Sequence, residues 1–454
     1  MSSSSAATSV GASAPSRRSR TVVIALCWAL VFIDGIDTFI YGSALPHMLG
    51  SKALGLDDAT AGDIGSYTTL GMLVGTILSG TVSNWVGRRK TVFTSVVIFT
   101  IATVGCGLAQ SAGVFGLFRL VCGFGLGALL PIAISYGMEF TTGARKALAT
   151  GVIMTAHQTG GAVAPLLALW LIDDFGWRSA FLVGAIPALI FLPLALKMLP
   201  ESPTNLLTRG RTADAQSLAG EYGLVLPEPK GHAADMLESI KALFRDRQWL
   251  TTLCFWLTSF AGLLLVYGVG QWLPKIMGDL GYETGDSLLF STFLNVGGIV
   301  GMLVAGRLAD LVGPRRIVII WFALTAVFVY LMGVHMSVGV LYGVVFLAGL
   351  LLFSGQTMVY ATVGSHHVEE DRPTALSWVA GMGRFGAVFG PWMGGQLLAA
   401  GHADLGFSMF AVAAVFGAVM MALAALTIQV RAPRRSPADA SVRDWGPSPR
   451  RSTR

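Results

Sequence analysis

The chain has 454 residues, 54% of them hydrophobic and only 12% charged, and a mean hydropathy of +0.67. Soluble domains carry about 25% charged residues, so this composition excludes a soluble enzyme or binding module and describes a polytopic membrane protein. The net charge of +6 is no argument for a nucleic-acid partner until the cations have been placed relative to the membrane.

Residues 1–20, MSSSSAATSVGASAPSRRSR, are Ser- and Ala-rich and then basic. They lack the apolar core of a secretory signal and are expected to form a disordered cytoplasmic tail. From Thr21 onward, apolar runs long enough to cross a hydrocarbon core of ~30 Å, roughly 20 helical residues each, recur along the chain. Twelve spans are predicted, at 21–46, 64–83, 91–110, 114–138, 147–172, 178–199, 248–274, 287–308, 316–335, 338–363, 374–400 and 405–430. The polar interval 200–247 carries Pro, Gly and charge, and it separates an N-terminal half (21–199) from a C-terminal half (248–430) as a cytoplasmic loop. The stretch 431–454 is basic and Pro/Ser-rich, and a second disordered cytoplasmic tail is expected there.

Orientation follows from the Lys and Arg residues. With the N-terminus inside, all of them fall on the cytoplasmic side except Lys52, Arg178 and Lys275 outside, and Arg119 and Arg384 within spans. Membrane topology therefore accounts for the basic charge without nucleic acid. Of the acids, only Asp34 and Asp37 lie deep in a span. The four cysteines, Cys27, Cys106, Cys122 and Cys254, sit in apolar runs without paired spacing and read as packing residues, not as a disulfide or metal set.

The loop after span two, GTVSNWVGRRK (80–90), returns after span eight as GRLADLVGPRR (306–316), an offset of 226 residues. It maps Gly80 onto Gly306, Asn84 onto Asp310, Gly87 onto Gly313 and Arg89 onto Arg315, and it sets Gln158 of span five against Arg384 of span eleven. A duplicated six-helix half with a site at the interface near the midplane is the architecture of rocker-type secondary transporters.

Across residues 21–430 the chain resembles the major facilitator superfamily. The loop motif Gly-x-x-x-Asp-Arg-x-Gly-Arg-Arg is partly kept in the first half, where Asn84 replaces the acid and Trp85 the following base, and the second half keeps Asp310. RLVCGFGLGALLPIAISYGMEF (119–140) and LPESPTNLLTRGR (199–211) resemble signatures shared by sugar porters and their relatives. The narrower resemblance is to the aromatic acid:proton symporters, on Asp34-Gly35-x-Asp37, on Arg119 with Gly123, Gly125 and Gly127, and on GMGRFGAVFGP (381–391). It implies an all-α polytopic membrane protein with 12 transmembrane helices in two six-helix repeats. It further implies a monomer of the bacterial inner membrane, with both termini cytoplasmic, that imports an aromatic carboxylate of the benzoate or hydroxybenzoate class with a proton by alternating access.

The residues themselves suit that chemistry. A charge at bilayer depth costs at least ~2.5 kcal/mol, so a buried acid pair needs a reason to exist. Asp34 and Asp37 are three residues apart and share a helical face. At ~1.5 Å per residue Asp34 lies near the middle of its span. Desolvation penalises a carboxylate there, which suits a group that takes a proton on one side and releases it on the other. Both acids are candidates for proton coupling, with Asp34 the first choice as carrier and Asp37 either a carrier or an orienting partner; the alternative is an acid capping a helix break at Gly35. Arg384, near mid-depth, offers a planar fork to a substrate carboxylate, unless it forms a structural ion pair with an acid of span one. Arg119, nearer the outer end of span four, is either a second ligand or a snorkelling or outer-gate residue. His157, Gln158 and Thr159 form a polar patch in which His157 relays a proton or donates to a ring hydroxyl, the alternative being a satisfied packing residue. Phe39, Tyr41, Tyr267, Trp378, Phe385 and Phe389 are the aromatics expected at a depth to flank the ring.

A cytoplasmic gate is expected from Asn84, Arg88, Arg89, Glu139 and Arg145 in the first half, with Asp310, Arg315, Arg316, Glu369, Glu370 and Arg372 in the second. The alternative for these groups is simple enforcement of topology. No cofactor is expected: there is no Walker motif, the GxG spacings follow no strand, and no metal-ligand or nucleophile constellation points to an enzyme. Two rivals stay open. One is another facilitator, a sugar or metabolite symporter or a drug exporter, although TIQVRAPRRSP (427–437) lacks the Pro-Glu-Thr-Lys type ending of sugar porters. The other is a non-transporting receptor for aromatic acids, which would need a signalling domain.

Overall fold

The computed structural model describes residues 17–51, 53–141, 145–224, 248–367 and 371–429, with the single residues 226 and 244. Among these there is no strand. The helices are α1 (Arg17–Ser51), α2 (Asp58–Val86), α3 (Arg88–Leu108), α4 (Ala112–Glu139), α5 (Arg145–Phe175), α6 (Trp177–Gly184), α7 (Ile186–Met198), α8 (Pro203–Thr208) and α9 (Thr212–Tyr222). The second half follows with α10 (Gln248–Asp279), α11 (Thr284–Val312), α12 (Pro314–Met332), α13 (Val338–His366), α14 (Arg372–Ala399) and α15 (Gly406–Gln429).

Twelve spans result when α6 and α7 count as one. Ten are apolar enough to cross a membrane on composition alone. The other two, α2 and α14, are diluted by Gly, Ser and Thr because they pack on each other at the seam between the halves, where Gly62 of α2 meets Pro391 and Gly395 of α14.

The predicted boundaries are corrected in several places. Helix α1 begins at Arg17, inside the expected tail, and runs unbroken through Gly35 to Ser51, so no helix break exists for an acid to cap. The sixth span is jointed at Ala185, where Pro187 starts a new helix without an N–H to continue the old one. The expected loop 200–247 contains α8 and α9, and α8 is capped by Ser202, whose hydroxyl accepts from the Asn205 amide at 3.1 Å. Residues 1–16 and 430–454, expected as tails, lie outside the described residues.

The repeat reaches far beyond the loop motif. Gly87 and Gly313, paired by the offset of 226, both adopt positive φ (+103° and +87°) at the turn between successive helices, a conformation that favours glycine. Within the first half, a Cβ added at Gly71, Gly75 or Gly123 would lie 2.2, 2.1 or 1.9 Å from the carbonyl oxygens of Leu120, Phe124 and Thr68. The same offset gives Gly297, Gly301 and Gly349 against Phe346, Leu350 and Leu294, at 2.1, 2.1 and 1.9 Å. Lipid tails are as apolar as leucine, so membrane helices associate through such close backbone contact. Each half is held by the same three glycine–carbonyl contacts.

The halves meet at the ends remote from the termini. There Ser66 Oγ donates to the Val388 carbonyl (2.8 Å), Thr292 Oγ1 donates to the Ala162 carbonyl (3.1 Å), and Gly42 and Gly65 abut Gln271. Lys275 of α10 also comes within 4.0 Å of Asp58 of α2. On the terminus-bearing face, Trp85 and Leu311 at the ends of α2 and α11 are exposed, and no described ion pair joins the halves. Among the described residues, these contacts between the halves gather at the end of the seam remote from the termini.

Candidate functional site

Helices α1 and α5 cross at backbone contact. A Cβ at Gly35 would meet the His157 carbonyl oxygen at 2.2 Å, and one at Gly160 would meet the Phe32 carbonyl oxygen at 2.3 Å. This crossing sets His157 Nε2 3.8 Å from Asp34 Oδ2, while His157 Nδ1 lies 3.3 Å from Gln158 Oε1. Phe39 stands edge-on to His157 (5.6 Å between centroids) and to Phe353 of the second half (6.4 Å). The expected trio of Asp34, His157 and Gln158 is therefore assembled at one level of the seam. An imidazole there can accept a proton from Asp34 or return it while staying fixed by Gln158.

Asp37 turns to a different neighbourhood. Thr103 Oγ1 donates to its Oδ1 at 2.5 Å, Cys122 Sγ donates to its Oδ2 at 2.6 Å, and Arg119 Nη1 lies 3.5 Å from Oδ2 and 3.4 Å from the Asp37 carbonyl. Arg119 also caps the ring of Tyr41 at 5.1 Å, and Tyr41 donates to the Ala61 carbonyl at 2.8 Å. Two expectations change. Arg119 is only 2% exposed, so it neither snorkels nor lines an outer gate, and Tyr41 is sealed between Arg119 and Phe115 instead of lying along the seam. Thr103 and Cys122, the partners of Asp37, were not among the expected site residues. Their types, a hydroxyl and a thiol, look like ordinary packing residues in a membrane helix.

Arg384 occupies the seam from the side of the second half. Its Nη1 donates to the Tyr267 hydroxyl at 3.0 Å and lies 3.6 Å from Met72 Sδ of the first half. Among the described residues no carboxylate comes within 4.0 Å of it, so the alternative of a structural ion pair with span one is not realised. Gln356 and Ser259, bonded to each other at 3.2 Å, stand on the neighbouring helices α13 and α10. Tyr267 is one of the aromatics expected at this depth, and the 226-residue offset pairs it with Tyr41, so each half presents a tyrosine to an arginine.

Phe385 and Trp378 do not flank this site. Phe385 is 52% exposed and lines an outward apolar hollow with Tyr67, Phe260, Phe389 and Trp392, and Trp378, 39% exposed, stacks on Trp256 at 5.4 Å. Their side chains leave α14 away from Arg384, that of Phe385 towards an outward hollow that α14 shares with α2 and α10.

The residues expected to form the gate are only partly described. Arg88 pairs with Glu139, which also accepts from Ser202 Oγ at 2.5 Å, and Arg89 donates to the Leu196 carbonyl. All three contacts stay within the first half. Asp310, Arg316 and Arg372 are exposed and Arg315 is half-buried. The side chains of Asn84 and Arg145, and residues Glu369 and Glu370, lie outside the described residues. Among those described, no three His, Cys, Asp or Glu side chains are grouped to hold a metal.

A family model described as Major Facilitator Superfamily matches residues 27–310 and 284–452. The benzoate transport protein of Acinetobacter baylyi is 31% identical over 389 residues, spanning 83% of this chain and 83% of its own length. The gentisate transporter of Corynebacterium glutamicum is 32% identical over 408 residues, spanning 89% of this chain and 87% of its own. Among solved structures, the inward-open conformation of the xylose transporter XylE from E. coli matches with a TM-score of 0.69 over 88% of this chain and 95% of that one; at 18% identity this is a likeness of fold alone.

Proposed function

The chain belongs to the Major Facilitator Superfamily, a family of membrane transporters and not of enzymes, and from that premise we propose that it imports a small aromatic carboxylate of the benzoate or hydroxybenzoate class together with a proton. The membrane is the bacterial cytoplasmic membrane, with both termini inside, and the two halves rock about the seam. The observation that carries this reading is the unequal state of two arginines inside the spans, Arg119 buried and Arg384 half-buried on the seam. Arg119 already has its counter-ion in Asp37, whereas no carboxylate of the described residues comes within 4.0 Å of Arg384. A permanently charged guanidinium in a low-dielectric site calls for an anion. Its planar fork fits a carboxylate, and the Tyr267 hydroxyl fixes its orientation.

Asp34 is the proton carrier in this proposal. It shares the seam with Arg384 and faces His157, while Asp37 is engaged by three donors inside the first half. An ionised Asp34 and an incoming carboxylate compete for the same positive field. Protonation of Asp34 removes that competition, so proton and anion bind in mutual support, which is the thermodynamic content of symport. The relatives named for benzoate and gentisate support the ring-bearing acid as cargo. With these contacts between the halves gathered at the remote end of the seam, the geometry suits the inward-facing member of an alternating pair. The charged groups at the open end, Arg88, Arg89, Glu139, Asp310, Arg315 and Arg316 with Asn84, Arg145 and Glu369, serve as the inner gate when the halves rock the other way.

The test is uptake of radiolabelled benzoate and 4-hydroxybenzoate into proteoliposomes, with and without an inward-acid pH gradient, for the wild type and Asp34→Asn. Gradient-driven accumulation that disappears in the variant is expected. Equal uptake with and without the gradient removes the proton from the mechanism, and uptake of neither acid removes the substrate class.

A further inference from the structure

A second cavity, of about 450 Å³, lies in the second half at its terminus-bearing end, away from the Arg384 seam. Arg315 and Arg316 at the start of α12 form one side, and His366 at the end of α13 forms another. Val312 and Ile428 give it apolar walls. Three basic side chains thus converge without an acid in the lining. Among the described residues neither arginine has a carboxylate within 4.0 Å.

Arg316 is exposed, but Arg315 is not simply solvated. Its Nη1 atom is shielded from solvent and has no hydrogen-bond partner among the described residues. A buried donor left unmatched is costly, and for a guanidinium the missing partner is an oxyanion. The backbone reinforces this polarity: α12 is 19 residues long, starts with Pro314, and has no side chain capping its N-terminal amides, so its positive dipole end lies at the same place. The position at the α11–α12 turn sets the cavity where helices leave the membrane, and basic pockets between helices at that level suit phospholipid headgroups.

We propose that this cavity is a binding site for a phosphate group, supplied by an anionic phospholipid headgroup or by a soluble phosphoester. The two arginines grip the phosphate oxygens, with the Arg315 Nη1 hydrogen completing a bond it lacks among the described residues. Val312 and Ile428 receive the glycerol carbons next to the phosphate. The site is independent of the cargo site in the seam.

The experiment uses the full chain, delipidated in a neutral detergent, and reads the shift in Tm on titration with phosphatidylglycerol, with a phosphate-free galactolipid, or with inorganic phosphate or glycerol 3-phosphate. Phosphatidylglycerol is expected to raise Tm saturably and the galactolipid not to. The half-saturating concentration should rise about tenfold or more in Arg315→Gln and in the exposed Arg316→Gln, the effect of losing one charge-assisted contact. Lys90→Gln, a basic residue on the same face of the other half, and Arg384→Gln should titrate like the wild type. A glycerol 3-phosphate response equal to that of the lipid assigns the site to a soluble phosphoester; a response to the lipid alone assigns it to the headgroup. An equal response to the galactolipid, or unchanged titrations in both arginine variants, overturns the proposal. So does the absence of any response in the wild type.

Discussion

Arg119 Nη1 lies 3.5 Å from Asp37 Oδ2, and the two side chains are 2% and 3% exposed. The pair joins α4 to α1 inside one half and is independent of any motion at the seam. Arg384, half-buried on the seam, is held by a neutral hydroxyl at 3.0 Å. Two residues of the same type thus stand in opposite electrostatic states, and substitutions at them should separate binding from stability.

Arg384→Gln is expected to raise KM for benzoate uptake by about tenfold to a hundredfold, since each charge-assisted hydrogen bond contributes roughly 1.5–3 kcal/mol. Arg384→Lys keeps the charge but not the fork, so its KM should fall between those of the wild type and the Gln variant. Thermal stability in detergent should hold in both. A KM unchanged in Arg384→Gln would place the carboxylate elsewhere.

Arg119→Gln should act the other way. Removing one partner of a buried ion pair leaves the other uncompensated, at a cost of about 3–5 kcal/mol. Asp37→Asn should cost a similar amount, and the double variant much less than the sum of the two. Tm values of the three variants in detergent check this. If Arg119→Gln left Tm intact and raised KM as Arg384→Gln does, Arg119 would be a cargo ligand and the pair incidental.

The fold was legible because apolar length and the 226-residue offset are properties of the chain itself. Depth was legible as well, since counting along a helix places Asp34 and Arg384 near the middle. The azimuth of a side chain is harder to read, and there the expectations for Tyr41, Trp378 and Phe385 failed. On α14 the signal was nevertheless present. Gly383, Gly386, Gly390 and Gly394, spaced three or four apart, form the stripe that touches α10 at Ser259, Phe260, Leu264 and Trp272, which leaves Phe385, Phe389 and Trp392 off that stripe, on the outward hollow. The pairing of Asp37 was not legible, because it is made by Thr103, Cys122 and Arg119 from two other helices, and no local spacing encodes that meeting.

Asp57, outside the membrane spans, provides a pH test. Its carboxylate accepts from the Thr60 amide at 2.8 Å as the N-cap of α2, and hydrogen bonds to Thr60 hold it below its ordinary value of 3.8. For a depressed acid, the stabilisation is complete above the ordinary value and fades as pH falls through the folded one. Asp57→Ala should therefore lower stability by about 0.5–2 kcal/mol at pH 7, with the gap to the wild type closing below about pH 3.8. Thermal melts at pH 7 and pH 3 decide it. A gap that is the same at both values would show that the cap does not act through its charge.

The glycines divide into two groups that substitution should tell apart. Gly123 and its repeat partner Gly349 touch carbonyls within their own halves, so their contacts persist whichever end of the seam is open. Gly123→Ala and Gly349→Ala should each destabilise by about 1–3 kcal/mol through overpacking, and by similar amounts because each Cβ would meet its carbonyl at 1.9 Å. Gly62 instead meets Gly395 and Pro391 across the seam, a contact made only while the remote end is closed. Gly62→Leu should leave Tm nearly unchanged and shift the population towards the form open at that end. Spin labels on Ala59→Cys and Ala400→Cys, which flank the closed end, would report the shift as a longer mean distance than in the Gly62 parent. A Tm loss as large as that of Gly123→Ala, at unchanged label distance, would mean that the Gly62 contact belongs to the folded core and that the seam does not open there.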